Sequence, residues 1–272
     1  MTHTSSITIL FIWKQSYYNL PRNGMNNFWG FADMLWGTLS TYQLCKKLNY
    51  NFIVDFSLHP ISQFFKNTSS LTINQLKQVE ATTTFIAHNN IESFIQSQIK
   101  TSNNNFVSLA TNTRTYNITL DDRIWFENTF QPLLPLQSSI NSILEKLPPN
   151  FITKHIRLGD NYLINNQDQS NLFQQILNNF ILSLSNINKP IFVCVDSPKF
   201  KDFLLNNTSS SNIILTNHHP THLGISTNND QILYTLAEFF VMCRSSFIYS
   251  YKGSGFSALP HYIYNIPYHQ LS

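Results

Sequence analysis

His155-Ile156-Arg157-Leu158-Gly159-Asp160 places an imidazole, a guanidinium and a carboxylate within one short span. The span follows the Pro148-Pro149 break and the apolar approach Phe151-Ile152, so it reads as the end of a strand. In open α/β sheets the carboxyl ends of the strands form the edge where ligands sit. Arg157 offers a planar fork of donors suited to a diphosphate, and Gly159 lets the backbone approach closely. The other use of these residue types is a plain arginine–aspartate pair at a strand end.

A second group lies near the carboxyl terminus, Lys252-Gly253-Ser254-Gly255-Phe256-Ser257. A small, hydroxyl-bearing loop between strand and helix can surround an anion with backbone N–H groups and serine hydroxyls. By itself such a turn reads as a plain connecting loop. Paired with His155 and Arg157, it can close on one diphosphate from the other side. Glu238 stands in the apolar run Leu236-Ala237-Glu238-Phe239-Phe240-Val241-Met242. Burying a lone carboxylate there costs several kcal/mol unless it is partnered. A guanine base, with its N1–H and N2–H₂ donors, is one partner; Arg244 or a helix-surface position are the others. Asp196 ends a strand, where it contacts a ribose or base or caps the helix from Pro198; Ser197 is the better cap. Asp121-Asp122 could hold a divalent ion, but the Thr119-Leu120 context reads as a solvated turn.

These residues need elements to position them. Ile7–Trp13 reads as a strand, Phe31–Lys47 as a helix with Leu35, Leu39, Tyr42 and Cys45 or Leu48 at helical spacing, and Asn51–Phe56 as a strand. That run opens a doubly wound α/β unit. Residues 60–125 carry mixed short elements, with strands at Thr83–Ala87 and Asn105–Ala110, and a helix at Ser138–Leu147 stops at Pro148-Pro149. Beyond it come a helix at Leu172–Ile187, a strand at Pro190–Asp196, a helix at Pro198–Leu205 and a strand at Ile213–Leu215. Next are a helix capped by Asp230 and reaching Cys243, a final strand at Phe247–Ser250 and a terminal helix. The expectation is two domains, 1–148 and 149–272.

The 272 residues supply ample apolar and aromatic side chains for a core, while only 11% are charged. The net charge of +3 is small and dispersed, unlike a nucleic-acid footprint. Cys45, Cys194 and Cys243 lack metal-ligand spacing and read as reduced core thiols, which fits a cytoplasmic protein. The apolar stretch Ile7–Trp13 is too short to span a membrane and lacks a basic leader.

His155-Ile156-Arg157-Leu158-Gly159-Asp160 resembles the H-x-R-x-G-D motif of the GDP-fucose-dependent fucosyltransferases of the α1,2-, α1,6- and protein O-fucosyl groups. Gly30-Phe31-Ala32-Asp33-Met34-Leu35-Trp36-Gly37-Thr38-Leu39 is similar to their opening Gly-rich loop and small-faced helix. Phe192-Val193-Cys194-Val195-Asp196-Ser197 is similar to their strand with acidic end, and Glu238 through Ser257 to their last element. The resemblance covers about Gly24 to Pro260, in family order. It implies a GT-B-like α/β fold of two Rossmann-like domains facing a cleft, the first on the acceptor side and the second binding the nucleotide sugar. The activity implied is metal-independent, inverting transfer of fucose from GDP-fucose to a glycan or protein hydroxyl, with no cofactor. Within it Arg157 contacts the β-phosphate, and His155 and Glu238 hold the guanine end. Gly159 and Asp196 stay with the donor, Ser254, Gly255, Phe256 and Ser257 cradle phosphates, and Asn26, Asn27 and Gly30 reach across from the first domain. Asp160 and Asp168 are the positional candidates for general base. A transferase of another sugar nucleotide, or a non-catalytic nucleotide- or carbohydrate-binding module, are the readings beside it. Acceptor, linkage and oligomeric state are not legible.

Overall fold

The structure, a computed structural model, describes residues 7–13, 28–66, 71–86, 90–102, 105–163, 170–182, 189–208 and 212–271. The chain divides into two compact units, Met1–Leu133 with Leu223–Thr227, and Leu134–His222 with Asn228–Ser272. The first contains β1 (Thr8–Ile12), α1 (Phe31–Leu48), β2 (Asn51–Asp55), α2 (Ile73–Thr82), β3 (Thr84–Ile86), α3 (Ile91–Ser102), β4 (Phe106–Thr111) and α4 (Leu120–Thr129). Its strands form a parallel sheet in the order β2-β1-β4-β3. The apolar positions expected of α1 are the ones that pack: Leu35, Leu39 and Cys45 are buried, and Tyr42 stacks on Trp125 at 4.0 Å between ring centroids. Gly37 sets the depth of that packing, because a Cβ there would lie 1.7 Å from the Thr111 carbonyl oxygen. A strand crosses the helix where only a hydrogen fits.

The second unit contains α5 (Leu134–Leu144), β5 (Ile152–Ile156), α6 (Asp160–Leu163), α7 (Ser170–Leu182), β6 (Ile191–Val195), α8 (Pro198–Asn207), β7 (Ile213–Ile214), α9 (Asn229–Met242), β8 (Ile248–Tyr251), α10 (Gly255–Tyr264) and β9 (Tyr268–Leu271). Its sheet has the order β7-β6-β5-β8-β9, every pair parallel. The chain steps outward from β5 to β6 and β7, then returns across the sheet to β8 and β9. The order therefore reverses between β5 and β8, and that switch point is where open α/β sheets bind ligands. Continuous apolar strands such as Ile191-Phe192-Val193-Cys194-Val195 are buried on both faces, as a covered parallel sheet requires. On one face Ile152, Ile156, Val193 and Val195 pack with Phe173, Ile176 and Leu177 of α7 and Phe200 and Leu204 of α8.

Several expectations change. The stretch over residues 60–125 is more helical than it reads, with α2, α3 and the start of α4. Asp121-Asp122 is no solvated turn: Thr119 and Asp122 form a capping box that starts α4. Asp122 is buried and accepts from Lys46 Nζ at 2.7 Å and Gln43 Nε2 at 2.8 Å. Asn228, not Asp230, caps α9, accepting from the Gln231 N–H. Residues 247–250 are not in the last strand, since β9 follows α10 at the sheet edge. The helix before Pro148-Pro149 begins at Leu134 and packs on α9, so it belongs to the second unit. Among the described residues no helix is long and apolar enough to cross a membrane. Cys45, Cys194 and Cys243 are buried and form no disulfide among the described residues, and burial alone pushes the Cys45 thiol up to about 12.

Candidate functional site

Both sequence clusters meet at the switch point of the second sheet. β5 delivers Arg157 and β8 delivers Lys252 to Ser254, and the strands are neighbours: the Arg157 N–H donates to the Tyr251 carbonyl at 3.3 Å. The two loops leave the same sheet edge side by side.

The loop after β5 is held in shape from β6. Asp196, buried at the end of that strand, accepts the Leu158 N–H on Oδ1 at 2.7 Å and the Gly159 N–H on Oδ2 at 2.8 Å. The same Oδ2 lies 3.2 Å from Arg157 Nη1. Burial pushes the Asp196 carboxyl above its usual range, while the Arg157 charge and the two N–H groups pull it back. Gly159 has φ +109°, which an L side chain rarely adopts. It turns the chain into α6, whose first residue Asp160 accepts from Arg157 Nη2 at 2.6 Å. The guanidinium thus stands between two carboxylates, partly open to solvent (side chain 30% exposed). Asp196 braces the loop, and Ser197, accepting from the Phe200 N–H, caps α8 as its type suggests.

The turn after β8 has two left-handed residues, Lys252 at φ +64° and Gly253 at φ +62°. They bring Ser254 to the N-cap of α10, where its hydroxyl accepts the Phe256 N–H at 3.2 Å. Ser257 is fully buried and shares a hydrogen bond of 2.9 Å with Ser250 on β8. Ser257 therefore anchors the turn, while Ser254 and Gly255 form its open lip. A ten-residue helix begins at that lip, and the amides and dipole of a helix start favour an anion.

His155 and Ser250 are register partners and share the face covered by α9 and α10. The imidazole is buried, with its centroid 5.8 Å from the Phe256 ring, and Phe256 in turn contacts Phe239 of α9 at 5.3 Å. Its Nδ1 has no hydrogen-bond partner among the described residues. Burial, with the Arg157 charge behind it, lowers the His155 pKa to about 3, so the ring is neutral.

Glu238 is buried as a guanine contact would require, yet its Oε1 is taken. It accepts from Lys201 Nζ at 2.8 Å and from the Thr216 hydroxyl. Lys201 is itself fully buried and also donates to Thr216 Oγ1 at 2.6 Å and the His218 carbonyl at 2.5 Å. Neither Arg244 nor solvent partners Glu238. Lys201 and Thr216 were missed; the signal was Lys201 at helical spacing between Pro198 and Leu204, on the side of α8 that faces the sheet. Gly30 precedes α1 in the first unit, and Asn26, Asn27 and Asp168 lie outside the described residues. Among the described residues no three His, Cys, Asp or Glu side chains group as metal ligands.

No family model and no curated protein sequence matches the chain. Solved structures do. The fucosyltransferase NodZ from Bradyrhizobium matches with a TM-score of 0.58 at 11% identity, over 99% of this chain and 96% of that one. A mutant of Arabidopsis thaliana FUT1 in complex with GDP gives 0.55 at 11% identity, over 98% and 70%. POFUT1 in complex with GDP gives 0.53 at 11% identity, over 97% and 98%. At such identity the likeness is one of fold: this chain shares the α/β, parallel-sheet architecture of those proteins.

Proposed function

We propose that the chain is a glycosyltransferase that moves fucose from GDP-fucose to a hydroxyl of a glycan or protein, with inversion and without a metal ion. One observation carries the reading: the Arg157 loop and the Ser254 helix start flank the same switch crevice. In glycosyl transfer the departing diphosphate gains negative charge while the sugar becomes oxocarbenium-like. A guanidinium fixed by Asp196 and Asp160 is aimed before the reaction begins, so little reorganisation is needed as that charge grows. The α10 start adds donors from the opposite wall. The neutral His155 ring and Phe256 offer a dry, mostly apolar boundary beside them. The shared architecture with proteins crystallised with GDP or GDP-fucose supports the same donor.

Within this reading the second unit binds the donor and the first serves the acceptor. Asp160 positions Arg157, which leaves Asp168 as the proposed general base. Glu238 selects guanine only through the oxygen not given to Lys201. Isothermal titration with GDP should show one site that Arg157→Ala abolishes; unchanged affinity in that variant rejects the assignment. Turnover of GDP-fucose in excess EDTA, with release of GDP on adding galactoside, glucoside or peptide acceptors, tests the chemistry. Removing a donor of this kind should lower kcat by about 10²–10³. Asp168→Asn should lose turnover and keep GDP binding.

A further inference from the structure

Arg157 alone leaves the switch crevice short of positive charge. Its guanidinium donates to Asp160 at 2.6 Å and lies 3.2 Å from Asp196, so one cation faces two carboxylates and the trio is net negative. Those contacts fix the direction of the guanidinium, but they also offset the charge that an incoming anion would feel. A diphosphate brings more than one negative charge. An edge that takes it needs a second cation, one without a carboxylate of its own.

Lys252 meets that description. The last register pair of β5 and β8 is Ile156 with Tyr251. Arg157 and Lys252 are the next residues on these neighbouring parallel strands, so they leave the sheet at one level. The Arg157 N–H donates to the Tyr251 carbonyl, and the Lys252 ammonium lies 5.6 Å from the centroid of the Tyr251 ring. Lys252 is exposed, and among the described residues it has no ion pair. A ring contact at an exposed site holds an ammonium weakly, and the flexible four-carbon stem lets it move.

The backbone of Lys252 points the same way. Its φ is +64°. Among the described residues the other non-glycine positions with positive φ are Asn49 and Asn265, which end α1 and α10. Asparagine is a residue type that tolerates this region, and lysine tolerates it less well. The turn imposes it nonetheless: the Lys252 N–H donates to the Leu271 carbonyl of β9 at 3.0 Å, and Gly253 follows at φ +62°. A long cation kept where the backbone favours glycine or asparagine is the mark of a side chain that is used.

We infer that Lys252 is a diphosphate-selecting residue: its ammonium leaves Tyr251 for the anion bound beside Arg157 and makes the crevice prefer a diphosphate to a monophosphate. The inference rests on the reading of that crevice as the donor site, and it adds the cation that answers the second phosphate.

The test is titration of the full chain with GDP, GMP and inorganic pyrophosphate. The unaltered protein should bind GDP about tenfold or more tightly than GMP. Lys252→Asn removes the charge and suits the left-handed backbone. It should weaken GDP and pyrophosphate by about ten- to a hundredfold, the range of a charge-assisted contact, and leave GMP nearly unchanged. Its thermal midpoint should hold or rise, which separates lost affinity from a damaged fold. Lys252→Arg should keep most of the preference for GDP. If Lys252→Asn retains the original ratio of GDP to GMP affinity, the role of Lys252 is overturned and the donor site stands. An equal loss of GDP and GMP assigns Lys252 to the shape of the turn and overturns the selection. If the unaltered protein binds pyrophosphate but not GDP, and Lys252→Asn weakens the pyrophosphate, Lys252 is upheld and the guanine donor is rejected. No binding of either overturns both.

Discussion

Asp196 Oδ2 lies 3.2 Å from Arg157 Nη1 while both oxygens of that carboxylate accept the backbone N–H groups of Leu158 and Gly159. One buried side chain on β6 thus fixes the path of a loop and the aim of its guanidinium. Asp196→Asn preserves the shape but keeps one acceptor, and its NH₂ meets donors. Stability should fall by about 1–3 kcal/mol, the cost of leaving a buried group unsatisfied. GDP affinity should fall with it, since Arg157 is released. Asp160, whose side chain is 54% exposed, grips the same guanidinium from solvent, and Asp160→Asn should do less to both. Urea midpoints and GDP titrations of the two variants give the ranking; an Asp160→Asn loss as large as that of Asp196→Asn contradicts it.

His155 should make the fold acid-sensitive. Burial first, then the Arg157 charge, lowers its pKa from 6.5 to about 3. Between those values the unfolded chain takes a proton that the folded chain refuses. Stability is therefore whole above about pH 6.5 and declines as pH falls through that window, by up to ~1.4 kcal/mol per pH unit. His155→Phe should flatten the decline seen in urea midpoints at pH 7, 6 and 5. Some slope should persist, because burial also lowers His218. A wild-type slope in the variant would assign the acid sensitivity elsewhere.

Much of this architecture is readable from the chain, and the reasons are local. Leu35, Leu39 and Cys45 keep helical spacing, and Ile191 to Val195 is an unbroken apolar run with Ser197-Pro198 behind it; each pattern has one economical solution. The meeting of the two loops at the switch point was legible because the residues of each loop are contiguous. What failed depends on partners distant in sequence. Asp122 looks like a surface acid until Lys46 and Gln43 come from α1 to meet it. Glu238 looks like a ligand contact until Lys201 arrives from α8. Asp196 reads as a ligand group or a cap, and only the fold shows it turned back onto the preceding loop.

The Lys201–Glu238 pair should show strong non-additivity. Both side chains are buried, so removing one leaves the other charge without its counterpart, at about 3–5 kcal/mol. Removing both leaves no such charge. Lys201→Met and Glu238→Leu should each lower the urea midpoint sharply, while the double variant should recover most of the loss. Additive losses would mean that the charges are solvated or shared with other groups. GDP titration of the double variant separately reads the guanine role assigned to Glu238: retained affinity would limit that residue to structure.

Two glycines should fail in opposite ways. At Gly37 a new Cβ would lie 1.7 Å from the Thr111 carbonyl oxygen and 2.6 Å from its carbon. Backbone, not a flexible side chain, stands in the way, so helix and strand must separate. Gly37→Ala should cost ~3 kcal/mol or more, yet the fraction that folds should bind GDP with wild-type affinity, because the donor-side loops belong to the second unit. At Gly159 a Cβ would meet nothing within 4 Å; only φ +109° resists it. Gly159→Ala should cost less, about 1–2 kcal/mol. Relief of that strain, however, rotates the very N–H that Asp196 holds and moves Arg157 off its aim. GDP affinity should then drop in Gly159→Ala while the thermal midpoint shifts little. If Gly37→Ala instead loses GDP affinity while Gly159→Ala keeps it, the loop after β5 is not the anion contact.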